Sequence, residues 1–420
     1  MKIKNLLFWG MVFFCSVLLL SNTAEPEWGF FGHRRINRMA VFTLPSDMMP
    51  LYKKEIEYLT DHAVDPDKRR YATKHEAVRH YIDIDHWGEY PFDEIPRDWT
   101  EVLMKYTDVF VVNTKGDTIQ MLGNNIMEYG EEDLILKGKK FLKRSKLDQL
   151  ILDKGAYQAF FTEHILPQYY EDDWTIDCVS LSSLFSDQGI KINCNSAFAK
   201  DQFSGFGILP YHLLKMQNKL TKAFQNQDPN QILRISAEFG HYIGDAHVPL
   251  HTTENYNGQM TDQVGIHAFW ESRLPELFAD KNYDYFVGKA EYISNPKEYF
   301  WDIILKSHSY LDSVLLIEKS LSRTFPEDKQ YCYDNRLERT ILTQCKEYAA
   351  EYSRRMDGMV EARMQASILS IGSVWYTAWI DAGQPNLKKL NERKMTEAEQ
   401  KALEEEEALF RAGDIKGREH

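Results

Sequence analysis

Glycine and proline are scarce in this sequence, with 22 glycines and 14 prolines among 420 residues. This scarcity excludes a collagen-like chain, and the 43% of hydrophobic residues excludes a mostly disordered one. Positive charge is also in the minority, because 50 Lys and Arg face 63 Asp and Glu and the formal net charge is −13. A chain this acidic does not attract duplex DNA or anionic membranes over its whole surface, so neither is expected as a partner.

Long apolar runs are missing after residue 24, but one lies near the start. Lys2 and Lys4 precede the apolar run 6–20, and the small and polar residues 21–24 follow it. This order is typical of a secretory signal peptide, and the run is short against the roughly 20 residues of a membrane span. We therefore predict a signal peptide over 1–24 and a secreted or periplasmic mature chain without a transmembrane span. An uncleaved N-terminal anchor is the alternative.

The sequence also lacks the Cys-x-x-Cys spacing of zinc and redox sites. One of its five cysteines, Cys15, lies in the predicted signal peptide. The others form two local pairs, Cys178 with Cys194 and Cys332 with Cys345, which would suit disulfides in an oxidising compartment. Four cysteines allow three connectivities, and the sequence does not choose among them.

Most of the chain has the periodicity of helices. Apolar residues recur at helical spacing in four segments: 211–227, 229–248, 300–321 and about 336–382, the last as one bent helix or two. Asp228 and Pro229 are a cap and a first-turn proline, and Pro249 should end the second helix. The sequence therefore predicts an all-α fold with a small β-hairpin at 108–121 and a long loop at 171–206.

A charged tail follows this region, at residues 386–420. It contains a capping-box pattern at Thr396–Glu399 and four consecutive glutamates, Glu404 to Glu407. The pattern predicts a helical tail that lies in solvent, with binding to a partner as the alternative.

Histidines and carboxylates at one-turn spacing carry the clearest chemistry. His241 precedes Asp245 by four residues, and His267 precedes Glu271 by four, so on a helix the members of each pair face the same way. An imidazole and a carboxylate so placed can hold one zinc ion. Because Pro249 turns the chain, His251 can approach from another direction. Capped or surface histidines are the alternative for the set.

His247 is a weaker candidate, since its six-residue offset from His241 points it off the common face.

Two upstream segments add candidates of their own. Asp65 and Asp67 precede an Arg and are followed by His80, which allows a loop to return to one site. Taken alone, such a segment is more often a salt-bridged turn. The first mature segment, 28–33, reads Trp-Gly-Phe-Phe-Gly-His, where a lone histidine at a helix start is more often structural.

Together these segments resemble a known superfamily. In chain order they are Trp-Gly-x-x-Gly-His, an Asp before an Arg, His-Tyr-Ile-Asp, His-Tyr-x-Gly-Asp-x-x-x-Pro-x-His and His-x-x-x-Glu. This order is similar to that of the zinc-dependent phospholipase C and fungal single-strand-specific nuclease superfamily. The resemblance implies an all-α, multi-helix domain around a trinuclear zinc cleft that hydrolyses phosphate esters. The motifs cover residues 28–271, and the domain would extend over 25–385.

The resemblance implies three zinc ions (Zn²⁺) per chain and nine ligands. One ion would be held by Asp65, His80, His241 and Asp245. A second would be held by Asp245 as a bridge, His33 and the backbone amine and carbonyl of Trp28. The third would be held by His251, His267 and Glu271. Asp67 is the alternative to Asp65. We prefer Asp65 because Ala63-Val64-Asp65 is closer to the family's pattern of a small residue, an apolar residue and Asp. Residues 25–27 would have to be trimmed before the Trp28 amine is free.

The resemblance also implies roles for residues around the metals. Asp65 is expected to accept a proton from the attacking water, and Arg69 or Arg70 to contact the phosphate. A surface ion pair is the alternative for either arginine. Tyr81 is expected to line the cleft, where its ring would stack on a base or a quaternary ammonium group, with core packing as the alternative.

Signals for the substrate divide between the two branches. The segment 28–33 and the Arg after Asp65 resemble the nucleases, whereas Glu271 resembles the phospholipases. Residues 86–206 are interpreted as an insertion bordering the cleft. Its aromatic residues would give a phospholipase a rim that meets lipid: Trp87, Tyr90, Phe92, Trp99, Tyr157, Phe160, Phe161, Tyr169, Tyr170 and Trp174.

The expected function is a phospholipase C-like phosphodiesterase that acts on a phospholipid head group or another phosphodiester. A nuclease acting on single-stranded nucleic acid is the alternative. A non-catalytic, zinc-stabilised binding protein is a second alternative, which the apparently complete ligand set disfavours.

Overall fold

The computed structural model describes residues 30–130, 132–136, 150–186, 190–336, 339–390, 397–413, 415–416 and 418. The predicted signal peptide, Trp28 and Thr396 lie outside these residues, so the interpretations of them stay predictions.

Helices make up most of the described chain. The α-helices are Phe30–Ala40, Met49–Tyr52, Ile56–Asp61, Asp65–Arg69, Lys74–Ala77, Trp99–Tyr106, Lys154–Phe160, Cys178–Ser183, Leu209–Gln225, Pro229–Ala246, Ile266–Ala268, Leu274–Asn282, Pro296–His308, Leu311–Thr324, Lys346–Arg355, Met359–Asp381 and Glu397–Ala412. Shorter helical turns cover Val41–Thr43, His62–Val64, Ile84–Trp87, Phe161–Ile165, Leu166–Gln168, Ser204–Phe206, Pro249–Thr252, Phe269–Arg273, Glu327–Lys329 and Leu387–Lys389. The strands are Thr107–Val112, Thr118–Leu122, Met127–Tyr129, Asp133–Leu136, Leu150–Asp153, Trp174–Ile176, Ser196–Asp201, Tyr331–Arg336 and Arg339–Gln344.

Two helices predicted from the sequence, Leu209–Gln225 and Pro229–Ala246, form the centre of the fold. Their junction is confirmed, because the Asp228 carboxylate accepts hydrogen bonds from the backbone N–H groups of Asn230 at 3.0 Å and Gln231 at 3.2 Å. Both helices pack against Met359–Asp381, and Pro229–Ala246 also packs against Phe30–Ala40. Apolar side chains at helical spacing fill the space between these four helices and account for the main core.

Close approach between two of these helices depends on glycine. A Cβ built on Gly244 would lie 2.7 Å from the Ile36 side chain and 3.0 Å from Nδ1 of His33. One turn earlier, a Cβ on Gly240 would collide with the Asn37 side chain. Because both positions lack a side chain, the helix Phe30–Ala40 lies directly on Pro229–Ala246, which brings His33 to Asp245.

The later helices differ from the prediction. The segment 300–321 is not one helix but parts of two, Pro296–His308 and Leu311–Thr324, and Lys306 and His308 favour the C-terminal end of the first. The region 336–382 divides into a strand and two helices. The second break falls at Asp357 and Gly358, whose φ angles of 50° and 76° cannot continue a right-handed helix.

The insertion 86–206 contains more β-structure than the sequence predicts. Its expected hairpin is confirmed, since Thr107–Val112 pairs with Thr118–Leu122 in antiparallel register. The segment 171–206 is not a long loop, however, because it supplies two further strands to the same four-stranded sheet. Met127–Tyr129, Asp133–Leu136 and Leu150–Asp153 form a separate three-stranded sheet. The fold is therefore helix-rich with small antiparallel sheets rather than all-α.

Of the three possible connectivities, the structure has the two local pairs, with disulfides Cys178–Cys194 and Cys332–Cys345. The second lies at the base of the hairpin formed by Tyr331–Arg336 and Arg339–Gln344. No helix within the described ranges has both the length and the apolarity required to cross a membrane.

The expected aromatic rim is mostly core. Among its ten aromatic residues, Tyr157 and Phe161 are fully buried. Only two of the ten are largely exposed: Tyr90, with 74% of its surface accessible, and Tyr170, with 49%. Most of these rings therefore stabilise the insertion and do not present a surface to lipid.

Candidate metal centre

Eight acidic and histidine side chains from separate segments converge beside the central helices. They form three groups, and within each group the nitrogen and oxygen atoms lie within 4.8 Å of one another. The first two groups share His241. The groups are His33, His241 and Asp245; Asp67, His80 and His241; and His251, His267 and Glu271. Seven of the nine ligands expected from the sequence belong to these groups. Trp28 lies outside the described residues, and Asp65 is not a member.

The Asp245 carboxylate connects the first two groups. Its Oδ2 lies 2.9 Å from Nδ1 of His80 and 3.3 Å from Nε2 of His241, and its Oδ1 lies 3.4 Å from Nε2 of His33. One side chain on the helix Pro229–Ala246 therefore reaches histidines from two other parts of the chain and one from its own preceding turn.

The Glu271 carboxylate connects the third group to the first. Its Oε2 lies 2.8 Å from Nε2 of His267 and 3.4 Å from Nε2 of His251. Its Oε1 faces the other way and lies 3.4 Å from Nε2 of His33. The three groups are thus one continuous cluster.

Hydrogen bonds to backbone carbonyls orient three of the histidines. Nδ1 of His241 donates to Ala63 at 2.9 Å, Nδ1 of His251 donates to the His80 carbonyl at 2.6 Å, and Nδ1 of His267 donates to Tyr256 at 3.1 Å. Because a carbonyl only accepts, each Nδ1 carries the hydrogen and each Nε2 can present a lone pair to the cluster. This arrangement is typical of histidines that bind metal.

Burial also sets the charge of the cluster. Burial lowers the pKa of His241 well below the usual range and that of His251 to about 4. Both rings are therefore neutral and can donate a nitrogen lone pair to a metal ion. Burial, reinforced by the charges of Asp67 and Glu271, raises the pKa of Asp245 well above its usual range. Neutral imidazoles together with crowded carboxylates fit a bound cation, which would relieve the repulsion and satisfy the lone pairs.

The structure brings Asp67, not the preferred Asp65, to the histidines of the cluster. The Asp65 carboxylate is buried, and it meets Nδ1 of His62 at 2.5 Å and Nζ of Lys68 at 3.8 Å. Oδ1 of Asp67 lies 3.6 Å from Nε2 of His241 and 3.8 Å from Nδ1 of His80. The two aspartates lie two positions apart in one helical turn, so their side chains point in nearly opposite directions.

The two candidate arginines have different surroundings. Arg69 forms ion pairs with Glu238 at 2.7 Å and Glu76 at 3.6 Å, so the ion-pair alternative describes it better than phosphate binding. Arg70 is buried, and its Nη1 lies 3.6 Å from Oδ1 of Asp67. Arg70 is therefore beside the cluster, where a phosphate oxygen bound there would meet a positive charge.

Tyr81 lines a pocket next to His80. Of the residues that line this pocket, the sequence predicts only Tyr81. The pocket, defined here by Tyr81, Asp83 and Tyr256 and called the cation pocket, holds the guanidinium group of Arg418. The carbon of that group lies 4.1 Å from the ring centre of Tyr81 and 3.6 Å from that of Tyr256. Both carboxylate oxygens of Asp83 lie 2.8 Å from Nη1 of Arg418.

His247 is outside the cluster, as its spacing predicts. Its Nδ1 donates to the Ile243 carbonyl at 2.7 Å, and its Nε2 lies 3.3 Å from Oγ of Ser370. Burial lowers the pKa of His247 to about 3, and the nearby Arg363 lowers it further. This histidine connects helices in the core.

No protein-family model matches the sequence, and a search of the curated proteins gives no match. The resemblance of the ordered motifs therefore stays a hypothesis, and the functional argument depends on the geometry of the cluster and of the cation pocket.

Proposed function

We propose that this protein is a secreted zinc-dependent hydrolase of phosphate esters, and specifically a phospholipase C-like phosphodiesterase. The observation that supports it is the buried cluster of five histidines and three carboxylates in three adjoining groups. Imidazole-rich donor sets suit zinc, whereas calcium and magnesium prefer sites made of oxygen. The two disulfides fit the oxidising compartment that a secreted protein enters.

Zinc at such a site acidifies a bound water and neutralises phosphate oxygens. The protein residues around it supply the remaining requirements. Asp67, not Asp65, is placed to accept a proton, because its side chain is part of the cluster and still 17% exposed. Arg70 is fixed beside Asp67 and provides a preorganised positive charge for a phosphate oxygen.

The cation pocket favours a substrate with a positively charged head group. It combines two tyrosine rings with the Asp83 carboxylate, and it binds a guanidinium cation within this chain. Aromatic faces and a carboxylate are the groups that recognise ammonium cations such as those of phospholipid head groups. Since Tyr81 directly follows His80, a cation held there would place its phosphate near the cluster.

The same pocket supports a single-strand-specific nuclease as the second candidate. A nucleobase can stack on a tyrosine ring and donate from an exocyclic amine to a carboxylate such as Asp83. The guanidinium of Arg418 is likewise a flat group with N–H donors. The burial of most of the expected lipid rim also favours this candidate.

A direct comparison of substrates separates these candidates. Zinc-loaded protein is incubated with phosphatidylcholine micelles, single-stranded DNA, single-stranded RNA and duplex DNA at one low salt concentration, because nucleic-acid affinity depends steeply on salt. The Asp245→Asn variant serves as the control for contaminating enzymes. Release of phosphocholine supports the phospholipase, and cleavage of single strands alone replaces it with the nuclease. No cleavage by fully zinc-loaded protein would leave the non-catalytic binding protein.

A further inference from the structure

The C-terminal segment does not extend into solvent but packs beside the metal cluster. Its helix Glu397–Ala412 contacts the helix Asp65–Arg69. The ring centre of Phe410 lies 5.3 Å from that of Tyr71 and 5.9 Å from that of Phe30. Ion pairs add to this apolar contact, because Glu406 lies 3.4 Å from Arg69 and Glu407 lies 3.2 Å from Lys68. The helix is therefore docked along the same short helix that carries Asp67.

Beyond the helix, the chain is bonded to Arg70 in both directions. The backbone N–H of Lys416 donates to the Arg70 carbonyl at 2.9 Å, and Nη2 of Arg70 donates to the carbonyl of Arg418. Arg70 in turn lies next to Asp67. The end of the tail is thus fixed at the edge of the cluster by the residue we assign to phosphate binding.

The side chain of Arg418 uses every recognition group of the cation pocket. It is only 14% exposed. Besides its contacts with Asp83 and the two tyrosine rings, its Nη2 donates to the Thr253 carbonyl at 3.1 Å. Thr253 lies two residues after His251. A cation buried in this way is stabilised because a carboxylate, a carbonyl and two ring faces replace its hydration.

We propose that residues 397–418 are an autoinhibitory segment, in which Arg418 occupies the cation pocket as a pseudosubstrate. The charged or flat group of a substrate would have to displace this side chain before its phosphate reaches the cluster. Because the segment is tethered, its effective concentration is high and it competes without any added molecule. This inference depends on the proposed function for its consequence in catalysis, but occupancy of the pocket can be tested without catalysis.

The test uses the full-length chain carrying Arg418→Ala. Arg411→Ala is the matched control, because it removes one positive charge from the same segment at a side chain that is 76% exposed and away from the pocket. Metal-free protein is titrated with argininamide by calorimetry. We expect Arg418→Ala to bind argininamide at least tenfold more tightly than the unmodified chain or Arg411→Ala. Equal binding by all three proteins would overturn the proposal.

A second measurement uses zinc-loaded protein with 4-nitrophenyl phosphorylcholine and with a dinucleotide. Removal of a competing segment should lower KM for the preferred substrate at least tenfold in Arg418→Ala and leave kcat unchanged. A fall in kcat without a change in KM would contradict competition and indicate a structural role for Arg418. If argininamide binds selectively to Arg418→Ala but none of the proteins hydrolyses either substrate, the pocket assignment stands and the hydrolase proposal fails.

Discussion

Exchanging the two neighbouring aspartates for asparagine, one at a time, tests the assignment of the metal ligands. Asp67→Asn removes a carboxylate whose Oδ1 lies within 3.8 Å of two imidazole nitrogens of the cluster. Asp65→Asn is the matched control, because it makes the same chemical change two residues away, where the carboxylate meets His62 and Lys68. Any difference between the variants therefore comes from where each carboxylate points and not from the chemical change, which is the same in both.

The expected magnitudes differ by site. Mutation of a residue that only hydrogen-bonds to a metal ligand lowers metal affinity about 10–100-fold. Loss of a ligand itself should therefore weaken zinc binding at least ~100-fold, which corresponds to about 2.7 kcal/mol of binding free energy. Loss of the Asp65 carboxylate leaves its partners without a buried charge, since the side chain is only 7% exposed. This should lower the free energy of unfolding by about 1–3 kcal/mol and leave zinc affinity unchanged. At fixed free zinc, the stabilisation by the metal should fall by a similar ~2.7 kcal/mol in Asp67→Asn only.

The assay is competition for zinc against a chromogenic chelator, followed by thermal unfolding with and without zinc. Asp67→Asn should lose affinity at one site and lose part of its zinc-dependent increase in Tm. Asp65→Asn should keep its affinity and show the same decrease in Tm with and without zinc. Weaker zinc binding by Asp65→Asn than by Asp67→Asn would refute the assignment.

Two further predictions concern packing and protonation. Gly244→Ala should destabilise the fold by about 1–3 kcal/mol and reduce zinc content, because the new Cβ would lie 3.0 Å from Nδ1 of His33. Gly155→Ala is the control and should do neither, because the nearest neighbour of its new Cβ is the Asp153 carboxylate. Equal melting curves for the two variants would contradict this prediction. Burial raises the pKa of Asp83 to about 6 despite the opposing charge of Arg418, so its contribution to stability is fully present below pH 3.8 and is lost as the pH rises through 6. Arg418→Ala should raise the pKa of Asp83 further, and an unchanged carboxyl titration by NMR would show that the two groups do not interact.

Local signals explain the part of the fold that the sequence predicts. The helices on either side of Asp228 are marked by a cap, a proline and a regular apolar spacing, which are all contained within the segment itself. The strands Trp174–Ile176 and Ser196–Asp201 carry no such signal. Both strands are short, and they form because distant partners are available. Thr107–Val112 pairs with Ser196–Asp201, which pairs in turn with Trp174–Ile176.

The same distinction holds for the candidate site. The four-residue steps at His241 and His267 predict which side chains share a face, because helical geometry is local. The choice between Asp65 and Asp67 depends on how one short helix is rotated against its neighbours, which spacing does not specify. The contact between Asp83 and Arg418 joins residues 335 positions apart, so no local pattern reveals it.

Elemental analysis of metal-replete protein measures how many zinc ions the cluster holds. We expect about three zinc ions per chain, and we expect chelation to lower Tm and to abolish hydrolysis, since metal binding contributes to folding. One zinc ion per chain, or none, in protein purified with excess zinc would refute the trinuclear cluster.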